Sequence, residues 1–211
     1  MRDQSTYEEL QALHVLFRLL GFNLEDWKTD DRPDLQNHTD SWGIEVVQDL
    51  YPKEVESTKH LESVWNIPCS EWPSNKSKIL SKNKVRLNIY NDTLQSASLG
   101  ETLSNPEHVI QTIKEKVDLL NKKQYRYFDR YDLYVGVNTS VIDTDHISYV
   151  KQIIEEIANY QEKVETKYKM LYLAHPYVLC ICNLENKTFE HIAISKELQR
   201  IIAESAGRSV N

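Results

Sequence analysis

Glycine is scarce in this chain, and its scarcity excludes a good deal. Five glycines occur in 211 residues, Gly21, Gly43, Gly100, Gly136 and Gly207. No two lie close enough to build GxGxxG or GxxxxGK[ST], the loops whose bare backbone cradles phosphates. A dinucleotide fold, a P-loop and a GxSxG nucleophile elbow are all missing. The three cysteines, Cys69, Cys180 and Cys182, are too few and too odd in number for a disulfide framework. The C-x-C at Cys180 has no second cysteine pair to complete a zinc site, and the scattered histidines form no HExxH. Long apolar runs are absent too. The longest is the six residues from Tyr177 to Cys182, against the roughly 20 that a membrane-spanning helix needs. The first residues, MRDQSTYEEL, lack the apolar core of a secretory signal, so the expected location is a reducing cytoplasm with no membrane partner.

What is present is an ordinary globular composition, 40% hydrophobic and 27% charged, with mass enough for a substantial core. The net charge of -7 is unevenly placed. Residues 1–56 carry -8, whereas the remainder sums to +1. Lys76, Lys78, Lys82, Lys84 and Arg86 form a basic run without one acid. An acidic first quarter followed by basic segments suits a cation site beside a polyanion-binding surface, although a solvated mixed-charge exterior has the same pattern.

Periodicity orders the elements. Ser5 or Thr6 caps a first helix that ends at Gly21, with Leu10, Leu13, Leu16, Phe17 and Leu20 on one face. Glu9 heads the series Glu9, Leu13, Leu16, Leu20 and so points toward the core, where a lone charge is costly. Pro33 and Gly43 bracket two short β-rich stretches around the turn HTDSW, which reads as a hairpin. On its second strand Ile44, Val46 and Gln48 share one face, and Glu45 and Val47 the other. Residues 51–105 read as an irregular insertion with one or two short helices. Pro106 opens a helix with the stripe Val109, Ile110, Ile113, Val117 and Leu120, and Lys116 lies at its edge. A strand at Tyr131–Val137 follows, then a helix over about 145–160 with Ile147, Val150, Ile153, Ile154 and Ile157 inward. Strands interrupted at His175-Pro176, a strand to Ile194 and a last helix from Ser195 complete a mixed α/β or α+β sandwich in one domain. His175 and His191 read as structural.

The chemistry centres on Arg32-Pro33-Asp34-Leu35 and Glu45-Val46-Val47-Gln48. Carboxylates on adjacent antiparallel strands can converge, and hard divalent cations such as Mg²⁺ take such oxygens together with water and a substrate phosphate. A cation held there polarises a phosphodiester and lowers the pKa of its bound water. Glu9 then has a purpose on the opposite side.

These residues resemble the PD-(D/E)XK nuclease superfamily: Pro33-Asp34 matches the PD, and Gly43-Ile44-Glu45-Val46 the acidic strand. The resemblance covers about residues 5–50 by motif and 106–138 by element order. It implies a restriction-endonuclease-like mixed central sheet flanked by helices, and a Mg²⁺- or Mn²⁺-dependent endonuclease acting on DNA. Asp34 and Glu45 become metal ligands, joined by Glu9. The family's lysine, which positions the attacking water and stabilises transition-state charge, falls on Val47. Gln48 turned inward by a bulge, or Lys116 arriving from the second helix, would replace it; otherwise the site is inactive and the protein is a binding or interaction module. Phosphate contacts are expected from Lys76, Lys78, Lys82, Lys84 and Arg86. The acidic net charge suits a homodimer whose two chains line one DNA channel.

Overall fold

A computed structural model describes residues 7–49, 56–57, 59–61, 63–65, 67–98, 106–122, 125–137 and 146–210. Its contacts divide the chain into two compact units, Met1–Asp49 with Ser104–Asn211, and Leu50–Leu103.

The larger unit is a mixed α/β layer structure. Its sheet has seven strands, β1 (Lys28–Thr29), β2 (Leu35–Asn37), β3 (Trp42–Asp49), β6 (Arg130–Val137), β7 (Tyr168–His175), β8 (Val178–Asn183) and β9 (Thr188–Ala193), lying side by side in that order. β3, β6 and β7 run parallel, while both flanks, β1–β2–β3 and β7–β8–β9, are antiparallel. Parallel strands are usually buried on both faces, and β6 is: seven of its eight residues, Tyr131 to Val137, are buried. Helices α3 (Pro106–Asn121) and α4 (His146–Gln161) cover one face, packing Val109, Ile113, Val117, Val150, Ile153 and Ile157 on Leu133, Val135, Leu171 and Leu173. Helices α1 (Tyr7–Leu20) and α5 (Lys196–Val210) cover the other, where Leu13, Leu16 and Ile202 meet Ile44, Val46, Tyr134 and Ile181.

Local signals account for most of these boundaries. Gly21 takes φ +72° and donates its N–H to the Phe17 carbonyl, closing α1. The Ser195 hydroxyl accepts the Leu198 N–H at 3.1 Å and so caps α5. The caps expected at Ser5 and Thr6 lie outside the described residues. The expected hairpin is β2–β3, with Leu35 opposite Ile44. One helix position differs from expectation: Ile147 is 53% exposed. In that first turn His146 and Tyr149 take the inward places, both with rings against His175.

The smaller unit has more order than its sequence suggests. It holds α2 (Ser74–Lys82) and a hairpin of β4 (Arg86–Tyr90) and β5 (Thr93–Ser98), turned by Asn91 and Asp92 at positive φ. Asp92 also ties Ser70 through the Ser70 N–H and hydroxyl. Val85, Leu87 and Ile89 alternate with Arg86 and Asn88, so β4 carries the two-residue period of a strand although its side chains are mostly exposed.

Candidate active site

Asp34 is set by the packing of its neighbours. A Cβ on Gly43 would lie 2.3 Å from Pro33 Cγ and 3.3 Å from the Phe128 ring, so only glycine lets the Pro33 ring lie flat against β3. The Gln36 side-chain amide donates to the Pro33 carbonyl at 3.0 Å, and the Asp30 N–H to the Asp34 carbonyl at 3.0 Å. Thus fixed, Asp34 Oδ2 accepts the Val46 N–H at 2.8 Å, just beyond the last β2–β3 pair. The carboxylate therefore caps the strand one residue past Glu45.

Glu45 points to the opposite face from Ile44 and Val46, under α3. Its side chain is 5% exposed, and Lys116 Nζ donates to its Oε1 at 2.6 Å. Two turns back on the same helix, His108 Nδ1 lies 2.7 Å from Asp49 Oδ1 and the Thr112 hydroxyl donates to that oxygen at 3.0 Å. The spacing explains the double match. Four residues of strand and eight of helix each span about 12–13 Å, so α3 laid antiparallel on β3 meets both Glu45 and Asp49.

The electrostatics are those of acids crowded together. Burial pushes the Asp34 carboxyl up to about 7, and the charges of Glu45 and Glu9 add to that push; the Val46 N–H and Lys116 oppose it. Glu9 is buried at 4% exposure, as its place on α1 required. Glu45 Oε2 is buried with no hydrogen-bond partner. The Tyr125 phenol, raised by burial and then by the Glu45 charge, stands beside these acids, and Tyr168 behind it is raised in the same way. A set of buried carboxylates, one oxygen of which has no hydrogen-bond partner, and an acid pushed up by burial and by its neighbours' charges fit a hard cation such as Mg²⁺.

Asp34, Glu45, Glu9 and Lys116 thus come together, and Gln48 does not. The β3–β6 register runs unbroken from Trp42 to Asp49, with no bulge to turn it. Its amide instead lies across Gly136, where a Cβ would meet Gln48 Oε1 at 2.0 Å, on the face away from Glu45. Val47 packs on the α3–α4 core, so a lysine at that position would have to grow out of packed helices. The basic run belongs to the smaller unit. Lys78 and Lys82 are exposed one turn apart on α2, Lys84 and Arg86 are exposed beyond it, and the Lys76 ammonium holds the Ser63 hydroxyl at 2.5 Å. Tyr125 escaped the sequence reading, because it sits in a connection between α3 and β6 with no periodic signal.

No family model, no curated protein and no solved structure matches this chain. Among the described residues, no helix is long and apolar enough to cross a membrane.

Proposed function

We propose that the chain is a metal-dependent nuclease of the PD-(D/E)XK type that hydrolyses DNA phosphodiester bonds. The observation that carries the proposal is the Lys116 ammonium, 2.6 Å from Glu45, beside an Asp34 carboxyl that burial and then the charges of Glu45 and Glu9 push up to about 7. Asp34 and Glu45 would hold Mg²⁺ or Mn²⁺, with Glu9 close enough for its charge to act on Asp34. The cation would supply Lewis-acid polarisation of the phosphate and a water acidic enough to attack it. Lys116 supplies the positive charge that Val47 lacks. Fixed by Glu45, it orients a water or a phosphate oxygen by donating a hydrogen bond and offsets charge developing on the phosphorane. Tyr125, kept protonated by burial and by Glu45, is a neutral donor at the same place. Exposed Lys78, Lys82, Lys84 and Arg86 would contact phosphates, which makes affinity fall steeply with salt.

The second reading is a binding or interaction module without cleavage, and the half-buried Val47, packed on the helix core where the lysine would stand, favours it. Plasmid and single-stranded DNA incubated with Mg²⁺ or Mn²⁺ separate the two. Cleavage by the wild type that Asp34→Ala abolishes supports the nuclease. Salt-dependent DNA retention without cleavage supports the module, and neither cleavage nor retention removes nucleic acid from the account.

A further inference from the structure

A second cluster lies on the α3–α4 face of the same sheet, away from the acids. His146 opens α4, His175 ends β7 and Cys180 is the third residue of β8. His175 follows Leu171 and Leu173 on one side of β7, and Cys180 follows Val178 on the matching side of β8, so the tight β7–β8 turn puts both beneath the start of α4. One donor atom from each of the three lies within 4.8 Å of the others. The His146 Nε2 to Cys180 Sγ separation is 3.2 Å. The His146 and His175 rings meet edge to face at 5.2 Å. His175 and Cys180 are buried, at 3% and 0% exposure.

These separations suit one tetrahedral ion. Bonds of about 2.05 Å to imidazole nitrogen and 2.3 Å to thiolate sulfur give ligand-to-ligand edges of roughly 3.4–3.6 Å, close to the nitrogen–sulfur contact present. The donor types choose the metal. Two imidazoles and a thiolate are borderline-to-soft ligands that favour Zn²⁺ over Mg²⁺ or Ca²⁺. We propose that His146, His175 and Cys180 bind a Zn²⁺ ion that staples the first turn of α4 to the β7–β8 turn. The fourth position falls to a water or to His191, the exposed register partner of Cys180, whose charge is felt at His146.

The alternative use of such a cluster, a reactive cysteine activated by histidine, has the wrong surroundings. The Cys180 sulfur is fully buried, and burial alone pushes its thiol up to about 12. A bound cation reverses that preference, since a coordinated thiol is deprotonated outright. The site is independent of the acids at Asp34 and Glu45. Glu45 shares a level of the sheet with Leu133 and Leu171, and His175 lies four residues beyond Leu171 and two strands across. At about 3.3 Å per residue and 4.8 Å per strand the two centres are roughly 16 Å apart, too far to share an ion.

The test begins with the full chain stripped by chelator, dialysed against Zn²⁺ and assayed for metal content, followed by titration with Co²⁺ as a spectroscopic probe. The expected result is about one equivalent of zinc per chain and a Co²⁺ spectrum with intense tetrahedral bands and a thiolate charge-transfer band. At a hundredfold excess over Kd, zinc should raise Tm by about 5–10 °C. Cys180→Ser should lose the sulfur band and bind zinc at least about 100-fold more weakly, while Cys69→Ser, on the other unit, should match the wild type. Zinc below about 0.1 equivalent in the wild type, a weak octahedral cobalt spectrum without the sulfur band, or full affinity in Cys180→Ser would each overturn the site. If Cys180→Ser fails to fold, the wild-type cobalt spectrum alone decides, because a sulfur band cannot arise at the carboxylate centre.

Discussion

The carboxylate centre and the histidine–cysteine cluster occupy the same face of one sheet and are opposites in chemistry. Around Asp34 and Glu45 the side chains offer hard oxygens, and burial followed by the crowding of like charges raises the Asp34 carboxyl. Around Cys180 the side chains offer imidazole and thiol, with His175 and Cys180 buried and His146 half-buried, so no crowding of like charges marks the place. The first kind of site shows itself through electrostatics, the second only through distances. If both proposals hold, the difference in hardness keeps each centre from competing for the other's metal.

The comparison breaks most visibly at Asp34. If the carboxylate centre cuts DNA, Asp34→Ala should lower Mg²⁺-dependent plasmid cleavage by about 10³-fold while leaving zinc content at the wild-type level. Loss of zinc along with cleavage would show that the two centres are one.

A pH titration probes the crowding itself. An acid whose folded-state pKa of about 7 exceeds its unfolded value of about 3.9 grips its proton more tightly when folded. Its stabilising effect is therefore full below about pH 4 and is lost as pH rises toward 7. In urea titrations without divalent cations, the wild type should lose up to about 3 kcal/mol relative to Asp34→Asn between pH 4.5 and 7.5. Added Mg²⁺ should shrink that difference, and an equal pH slope in both proteins would show that Asp34 is not under strain from its neighbours.

Lys116 gives a smaller effect with two readings. Lys116→Met removes the charge beside Glu45 and should slow cleavage by about 10²-fold. It also leaves a 5%-exposed carboxylate unpaired, costing about 2–3 kcal/mol because the lysine itself was partly solvated. Adding Glu45→Gln should recover about 2 kcal/mol of that stability without recovering cleavage, a result that chemical denaturation and plasmid nicking read separately.

The smallest effect is expected at Gln48. Lying across Gly136 on the other face, it should tolerate Gln48→Ala with less than about a twofold change in cleavage. A large loss would mean that β3 can bulge and that Gln48, not Lys116, stands in for the missing lysine.

Legibility followed the range of the interactions. α1, the β2–β3 hairpin and α3 were readable because their apolar periods and turn residues are local; Glu9 and Lys116 stood out as charges on or beside an apolar stripe, and Asp34 and Glu45 through the hairpin motif and its resemblance. Ile147 fits the apolar period of α4 yet faces solvent, since the rings of His146 and Tyr149 fill the space against His175. The β4–β5 hairpin stayed hidden although Val85, Leu87 and Ile89 alternate with polar residues, because the run is short and its lysines and arginine read as a basic surface.

The amino-acid order by itself determined which residues are amphipathic, where the chain turns, and that two acids flank a hairpin with a valine where a lysine was expected. Only the tertiary structure decided that α3 lies antiparallel on β3 and delivers Lys116 to Glu45, and that His146, 29 residues before His175, closes with it around Cys180. The reason is physical. Helix and strand periods are set by neighbours within a few residues, whereas the meeting of side chains from separate elements depends on sheet order, register and the way helices lie across strands, which the chain settles only as it packs its core.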